Sequence, residues 1–156
     1  MQDSKILEIP ATIPLDMTIE IMNHESLSSI LNNMGYSYDF PKSDLCVVKL
    51  DESTNMLIIF YGQDSETKGE ANSLKYRSAW GNTKDLSPNA INAFNRKFRF
   101  VKAYLDHEGD PILEYDILVE GSSQRYIQNT IRKFMELVTT FETFMTLAED
   151  FDINAK

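Results

Sequence analysis

The chain is poor in the residues that would make its chemistry easy to name. It has a single cysteine, Cys46, in 156 residues, so no internal disulfide can form. Cys46 lies in the apolar run LCVVKL without a second cysteine or a histidine nearby, which suits a small buried hydrophobe better than a nucleophile or a metal ligand. There are two histidines, His24 and His107, and neither belongs to an HxxxH or CxxC-type arrangement. No window approaches eighteen apolar residues, so no membrane span is expected. The N-terminus lacks the basic start and apolar run of a secretory signal. Together these features point to a cytoplasmic protein. Positive charge is also scarce. Fifteen bases against 24 acids leave a net charge of −9, which disfavours phosphate backbones and anionic lipid, so neither nucleic acid nor membrane is an expected partner.

What is present reads as a soluble globular chain, 42% hydrophobic and 25% charged, with a single domain over 23–150 between a lead (1–22) and a tail (151–156). The lead contains Ile9–Pro10 and Ile13–Pro14, which favour extended or turn geometry, and room for a short strand at Met17–Ile21. In HESLSSILNNMGY, Leu27, Ile30, Leu31 and Met34 recur at helical spacing; Asn23 can cap the start and Gly35 the end. Next, LCVVKL, MLIIFYG and SLKYRSAW read as three consecutive strands. Ser87–Pro88 opens a short helix carrying Ile91, Phe94 and Phe98. RFVKAYLD and PILEYDILVE read as two more strands. From Ser123 a long amphipathic helix carries Ile127, Ile131, Phe134, Val138, Phe141 and Met145. The expected fold is therefore α+β, order α-β-β-β-α-β-β-α, with helices flanking an antiparallel sheet of about five strands.

Three motif-like stretches fail on spacing. LDHEGDPILEYD alternates Asp106, Glu108 and Asp110 like a calcium loop, but places Pro111 where the glycine belongs and Ile117 where the bidentate glutamate belongs. A hairpin centred on Glu108–Gly109 explains more residues, pairing His107 with Asp110, Leu105 with Ile112, Phe100 with Ile117 and Phe98 with Val119. RKFRFVKAY resembles an RNA-binding strand, yet Lys97 and Arg99 stand where small residues are needed and Ala103 where an aromatic is. GQDSETKGEANS lacks the Lys-Ser/Thr ending of a phosphate loop. No catalytic, cofactor-binding or metal-ligating residue is assigned.

The excess in this sequence is apolar. Leu137, Phe144 and Leu147 widen the last helix's stripe beyond what one sheet needs, Trp80 and Phe94 add bulk nearby, and the residues singled out are Trp80, Phe94, Leu137, Phe141, Phe144 and Met145. These six are the expected partner or dimer surface, and a homodimer is expected from them.

The run INAFNRKFRFVKAYLDHEGDPILEYDILVEG, followed by a long helix, resembles the bacterial YbjN family. It shows that family's Asn-x-aromatic-Asn helix end (Asn92, Phe94, Asn95), its Arg-Phe-x-x-Ala-Tyr strand (Arg99, Phe100, Ala103, Tyr104) and its acidic turn (Asp106, Gly109, Asp110). Phe94 stands where the family often has Trp, and Ser122 where a second glycine is common. The resemblance covers about residues 25–147. It implies a fold like class I chaperones of type III secretion, commonly dimeric, and a bacterial cytosolic sensory-transduction regulator without established catalytic residues. The expected function is a non-enzymatic protein-binding module, a regulator or chaperone-like adaptor whose partner is unknown. The alternatives are a small-ligand binder or enzyme with a pocket between helix and sheet, and a nucleic-acid regulator acting through Arg96 to Lys102.

Overall fold

The computed structural model describes residues 15–81 and 86–154, so the two X-Pro steps of the lead lie outside the described residues. The elements in chain order are β1 (Thr18–Ile19), α1 (His24–Met34), β2 (Ser37–Lys42), β3 (Leu45–Lys49), β4 (Asn55–Tyr61), α2 (Ser65–Lys68), β5 (Ser73–Ala79), α3 (Pro88–Lys97), β6 (Lys102–Leu105), β7 (Pro111–Leu118), β8 (Ser122–Ser123) and α4 (Gln124–Asn154). Six strands form one antiparallel sheet in the order β2-β3-β4-β5-β7-β6, and β1 pairs with β8 in a small ribbon. The α+β class is as expected. The sheet gains β2, whose Pro41 hid it in the sequence; an edge strand with a register shift between Asp39 and Lys42 accommodates that proline.

Local signals account for the helix ends. The Asn23 side chain accepts from Ser26 N–H at 2.8 Å while the Ser26 hydroxyl accepts from Asn23 N–H at 3.1 Å, a reciprocal cap. Gly35 ends α1 at φ 81°, a left-handed conformation that costs a residue with a Cβ. Ser87 accepts from Ala90 N–H at 3.1 Å, with Pro88 in the first turn of α3. The last helix is 31 residues long and runs to Asn154, past the expected domain end at 150.

Alternation along the strands sends Cys46, Val48, Met56, Ile58, Phe60, Leu74 and Tyr76 into a core shared with α1, α3 and α4. Tyr76 sits against Phe134 with ring centres 5.8 Å apart, and its hydroxyl meets Thr130 Oγ1 at 2.8 Å. Burial, opposed in part by that hydrogen bond, holds the Tyr76 phenol well above its usual range. Cys46 is fully buried, and burial followed by the charge of Asp39 pushes its thiol up to about 12, so it stays protonated.

The β6–β7 hairpin departs from the expected register by one residue. Its pairs are Lys102–Glu114, Ala103–Leu113, Tyr104–Ile112 and Leu105–Pro111. The cause is the turn. Asp106 N–H donates to Asp110 C=O at 2.9 Å, and the Asp106 carboxylate accepts from the N–H groups of Glu108 (2.8 Å) and Asp110 (2.9 Å). This closes a three-residue loop, with Gly109 at φ 87°, instead of the expected two-residue one. A one-residue slip turns a strand over. Val101 and Ala103 therefore enter the core, and Lys102 and Tyr104 take the opposite face from the one expected. The pairs Phe100–Ile117 and Phe98–Val119 do not form, because Phe100 adopts φ 80° and β6 begins only at Lys102.

Candidate functional site

The helical layer takes one face of the sheet, and among the described residues the other face is left to strand side chains. Cross-strand registry lays these out in rows. Asp39, Val47, Leu57, Arg77, Glu114 and Lys102 make one row; Leu45, Ile59, Lys75 and Asp116 make the next; Tyr61, Ser73 and Leu118 make a third. One side of this face is aliphatic and half-buried, through Leu45, Val47, Leu57 and Ile59, and the other is ionic.

The ionic half is built around Glu114, which is only 3% exposed although no helix covers it. Tyr104 OH donates to Glu114 Oε2 at 2.9 Å, and Arg77 Nε lies 3.5 Å from the same oxygen. Lys75 and Lys102 Nζ each lie 3.5 Å from Oε1. Asp116 shares both lysines, at 4.0 and 3.8 Å. The aliphatic stems of these long side chains roof the carboxylate while their charged ends satisfy it. Burial opposes the Lys75 charge, but Glu114, Tyr61 and Asp116 outweigh it and raise its pKa. Burial and the bond to Glu114 likewise raise the Tyr104 phenol. A shallow cleft of about 410 Å³ runs between Tyr61, Lys75, Asp116 and Leu118. The arrangement holds charges in fixed positions beside that cleft. Among the described residues, no three of His, Cys, Asp and Glu come together as a metal ion would need.

The six residues expected at a partner surface divide in two. Phe94, Leu137 and Phe141 are buried in the core, with Phe94 and Phe141 in edge-to-face contact at 4.8 Å. The α4 stripe is wide because the helix packs on β5 and β7 and also meets α1 and α3. Phe144, 5.2 Å from Phe94 between ring centres, and Met145 are half-buried against that core. Trp80 is half-buried too. Its ring lies 5.2 Å from Phe141 and its indole N–H donates to Glu142 Oε2 at 3.0 Å. These six therefore mostly join α3 and α4 to the sheet. Of the basic run, Lys102 is engaged by Glu114 and Asp116, Lys97 lies over Phe98 and Arg99 over Phe100.

Sequence reasoning missed the Glu114 cluster, because its members lie on three strands and only the fold aligns them. The signal was available as matched doublets, Lys75 and Arg77 on one strand against Glu114 and Asp116 on another.

An antiparallel sheet with helices on one face and an ionic cluster on the other defines an α+β protein whose exposed sheet surface is its distinctive feature. The particular residues narrow this further. Asn95, at the helix end, holds the Ala103 backbone; Tyr104 holds Glu114; Asp106 folds the turn. The chain belongs to the YbjN family, whose description is "Putative bacterial sensory transduction regulator" and whose model matches residues 23–146. No curated protein matches the sequence. Among the described residues, no helix is long and apolar enough to cross a membrane.

Proposed function

We propose that the protein is a non-enzymatic protein-binding regulator of the bacterial cytosol that receives its partner on the uncovered face of the sheet. The observation that carries this reading is the pairing of an aliphatic strip (Leu45, Val47, Leu57, Ile59) with a preorganised ionic cluster around Glu114 on one face. Apolar area of this kind supplies affinity, and fixed charges supply register and selectivity. The helix–sheet interface on the other face is filled by Phe60, Tyr76, Phe94, Phe134 and Phe141, which supports a surface rather than an interior pocket as the working site.

The test is affinity purification from the native cell with mass spectrometry, run in parallel on the wild type and a Val47→Glu/Leu57→Glu double variant. The expected result is a partner set retained by the wild type and lost by the variant, with both proteins melting cooperatively. Capture of no protein by the wild type, or of the same proteins by both, would overturn the reading.

A further inference from the structure

We propose that the free segment of β7 from Tyr115 to Leu118 is a strand-addition site. Its occupant is an extended segment of a partner protein, with large apolar side chains at alternate positions and a basic residue at one end. This rests on the protein-binding reading above and specifies where and how the partner's chain engages.

The strand β7 has eight residues and its neighbour β6 has four, so pairing on that side stops at Lys102–Glu114. On its other side β7 stays paired with β5 as far as Leu118. The bonds from Val119 N–H to Asn72 C=O (2.8 Å) and from Trp80 N–H to Pro111 C=O (3.1 Å) show that odd-numbered residues of β7 bond towards β5. The Asp106–Asp110 bond shows that even-numbered ones turn towards β6. Asp116 and Leu118 therefore present their N–H and C=O groups to the slot that a longer β6 would have filled.

The slot is held open and walled. Phe100 at φ 80° diverts the chain out of the sheet, a strained conformation for a bulky residue, and leaves its own ring 56% exposed. That ring lies 6.2 Å from Tyr115, and Tyr126 at the start of α4 is 46% exposed. Leu118, at 73% the most exposed large hydrophobic among the described residues, lies beside a cleft of about 460 Å³ bounded by Asp16, Thr18, Glu120 and Tyr126. Alternate side chains of an added strand would meet the aromatic rings on one side and Leu118 on the other.

The outer edges of the sheet are closed by comparison. The Asn95 side-chain amide donates to Ala103 C=O at 2.9 Å and accepts from Ala103 N–H at 2.8 Å, imitating a neighbouring strand along β6. At the opposite edge, β2 carries Pro41 and a register shift. Charge selects the sign of the occupant. Arg125 is paired with Asp16 at 3.0 Å and Lys102 with Glu114 and Asp116, whereas Glu120 has no ion pair among the described residues. The Leu118 end of the slot is thus acidic, in keeping with the net −9, while Arg99, 5.0 Å over the Phe100 ring, marks the other end, so a basic residue of the occupant belongs beside Glu120.

The experiment uses peptides selected from a random ten-residue display library on the full chain, then measured by fluorescence anisotropy. Leu118→Pro deletes an N–H that faces the slot and no bond to β5, so it should fold and melt like the wild type. The expected result is peptides with alternating apolar residues and a terminal Lys or Arg, bound at least tenfold more weakly by Leu118→Pro. Phe100→Ala should bind them several-fold more weakly. Amide exchange at Asp116 and Leu118 should be fast in the free protein and slow when peptide is bound. Recovery of no such peptide, equal binding by Leu118→Pro, or protection elsewhere would overturn the proposal. So would a homodimer in light scattering that Leu118→Pro dissociates, since it would give the edge to a second copy. Cellular partners retained by Leu118→Pro but lost by Val47→Glu/Leu57→Glu would overturn the edge alone and leave the proposed function standing.

Discussion

The two faces of this sheet reach burial by different physics, and β7 shows both within five residues. Leu113 and Ile117 point into the helical layer and are shielded by apolar contact. Glu114, between them, points the other way and is equally hidden, but by two lysines, an arginine and a tyrosine whose stems cover it. The first kind of burial is a permanent part of the fold. The second is a roof of long side chains whose charged ends are held by Glu114 and Asp116 while their outer surface meets solvent.

Several substitutions would break or sharpen this contrast. Phe141→Ala should be the most damaging, lowering unfolding free energy by about 3–5 kcal/mol in a denaturant titration, because it opens a cavity between α3, α4 and Trp80. On a single strand, Ile58→Ala should cost about 3 kcal/mol and its neighbour Leu57→Ala about 1, since only the former lies under helices. Equal costs would erase the distinction between the faces. Glu114→Ala should cost about 2 kcal/mol, less than breaking a fully enclosed pair, because the orphaned cations can swing into water; Glu114→Met should recover part of the loss. Asn95→Ala should cost a similar or smaller amount, about 1–2 kcal/mol, by freeing both backbone groups of Ala103, and should raise the tendency to self-associate at high concentration.

The smallest effects are in pH. Tyr104 and Lys75 have raised pKa values, so the fold favours their protonated forms. That stabilisation is complete below the ordinary values, near 10, and is lost as pH climbs through the raised ones. Melting temperature should therefore fall above about pH 10, less steeply in Tyr104→Phe. Asp106 is shifted the other way, chiefly by the Asp110 N–H, so the hairpin turn should loosen as pH falls below the usual aspartate range. Amide exchange at Glu108 and Asp110 would register it.

Much of the architecture was legible in the residues. Caps at Asn23 and Ser87, the period-2 runs and the long apolar stripe of α4 all correspond to elements at the expected places. What escaped was non-local. The SYDFPK stretch is not among the expected strands, since its proline is tolerable only at an edge and edges are properties of the assembled sheet. The hairpin's phase depended on whether Asp106 would spend its carboxylate on Glu108 and Asp110, a side-chain choice that strand alternation does not encode. Phe94 and Phe141 looked surplus because the stripe was weighed against one sheet, whereas α4 is also flanked by two helices. The ionic cluster requires three strands in register before any pair of its members becomes neighbours.

Trp80 is the sole tryptophan of the chain, and its surroundings make it a built-in optical probe. Its indole bridges the end of β5 to the Phe141–Glu142 turn of α4, so its emission colour reports how well the far half of that helix is seated. The Glu114 roof is made by other side chains on the opposite face of the sheet, Lys75 and Arg77 of β5 among them, and the free edge of β7 lies away from the indole. Intrinsic fluorescence should therefore shift red when α4 lifts away and stay nearly constant while a ligand occupies the open face. The molecule thus separates, without any added label, the loss of its fold from the use of its surface.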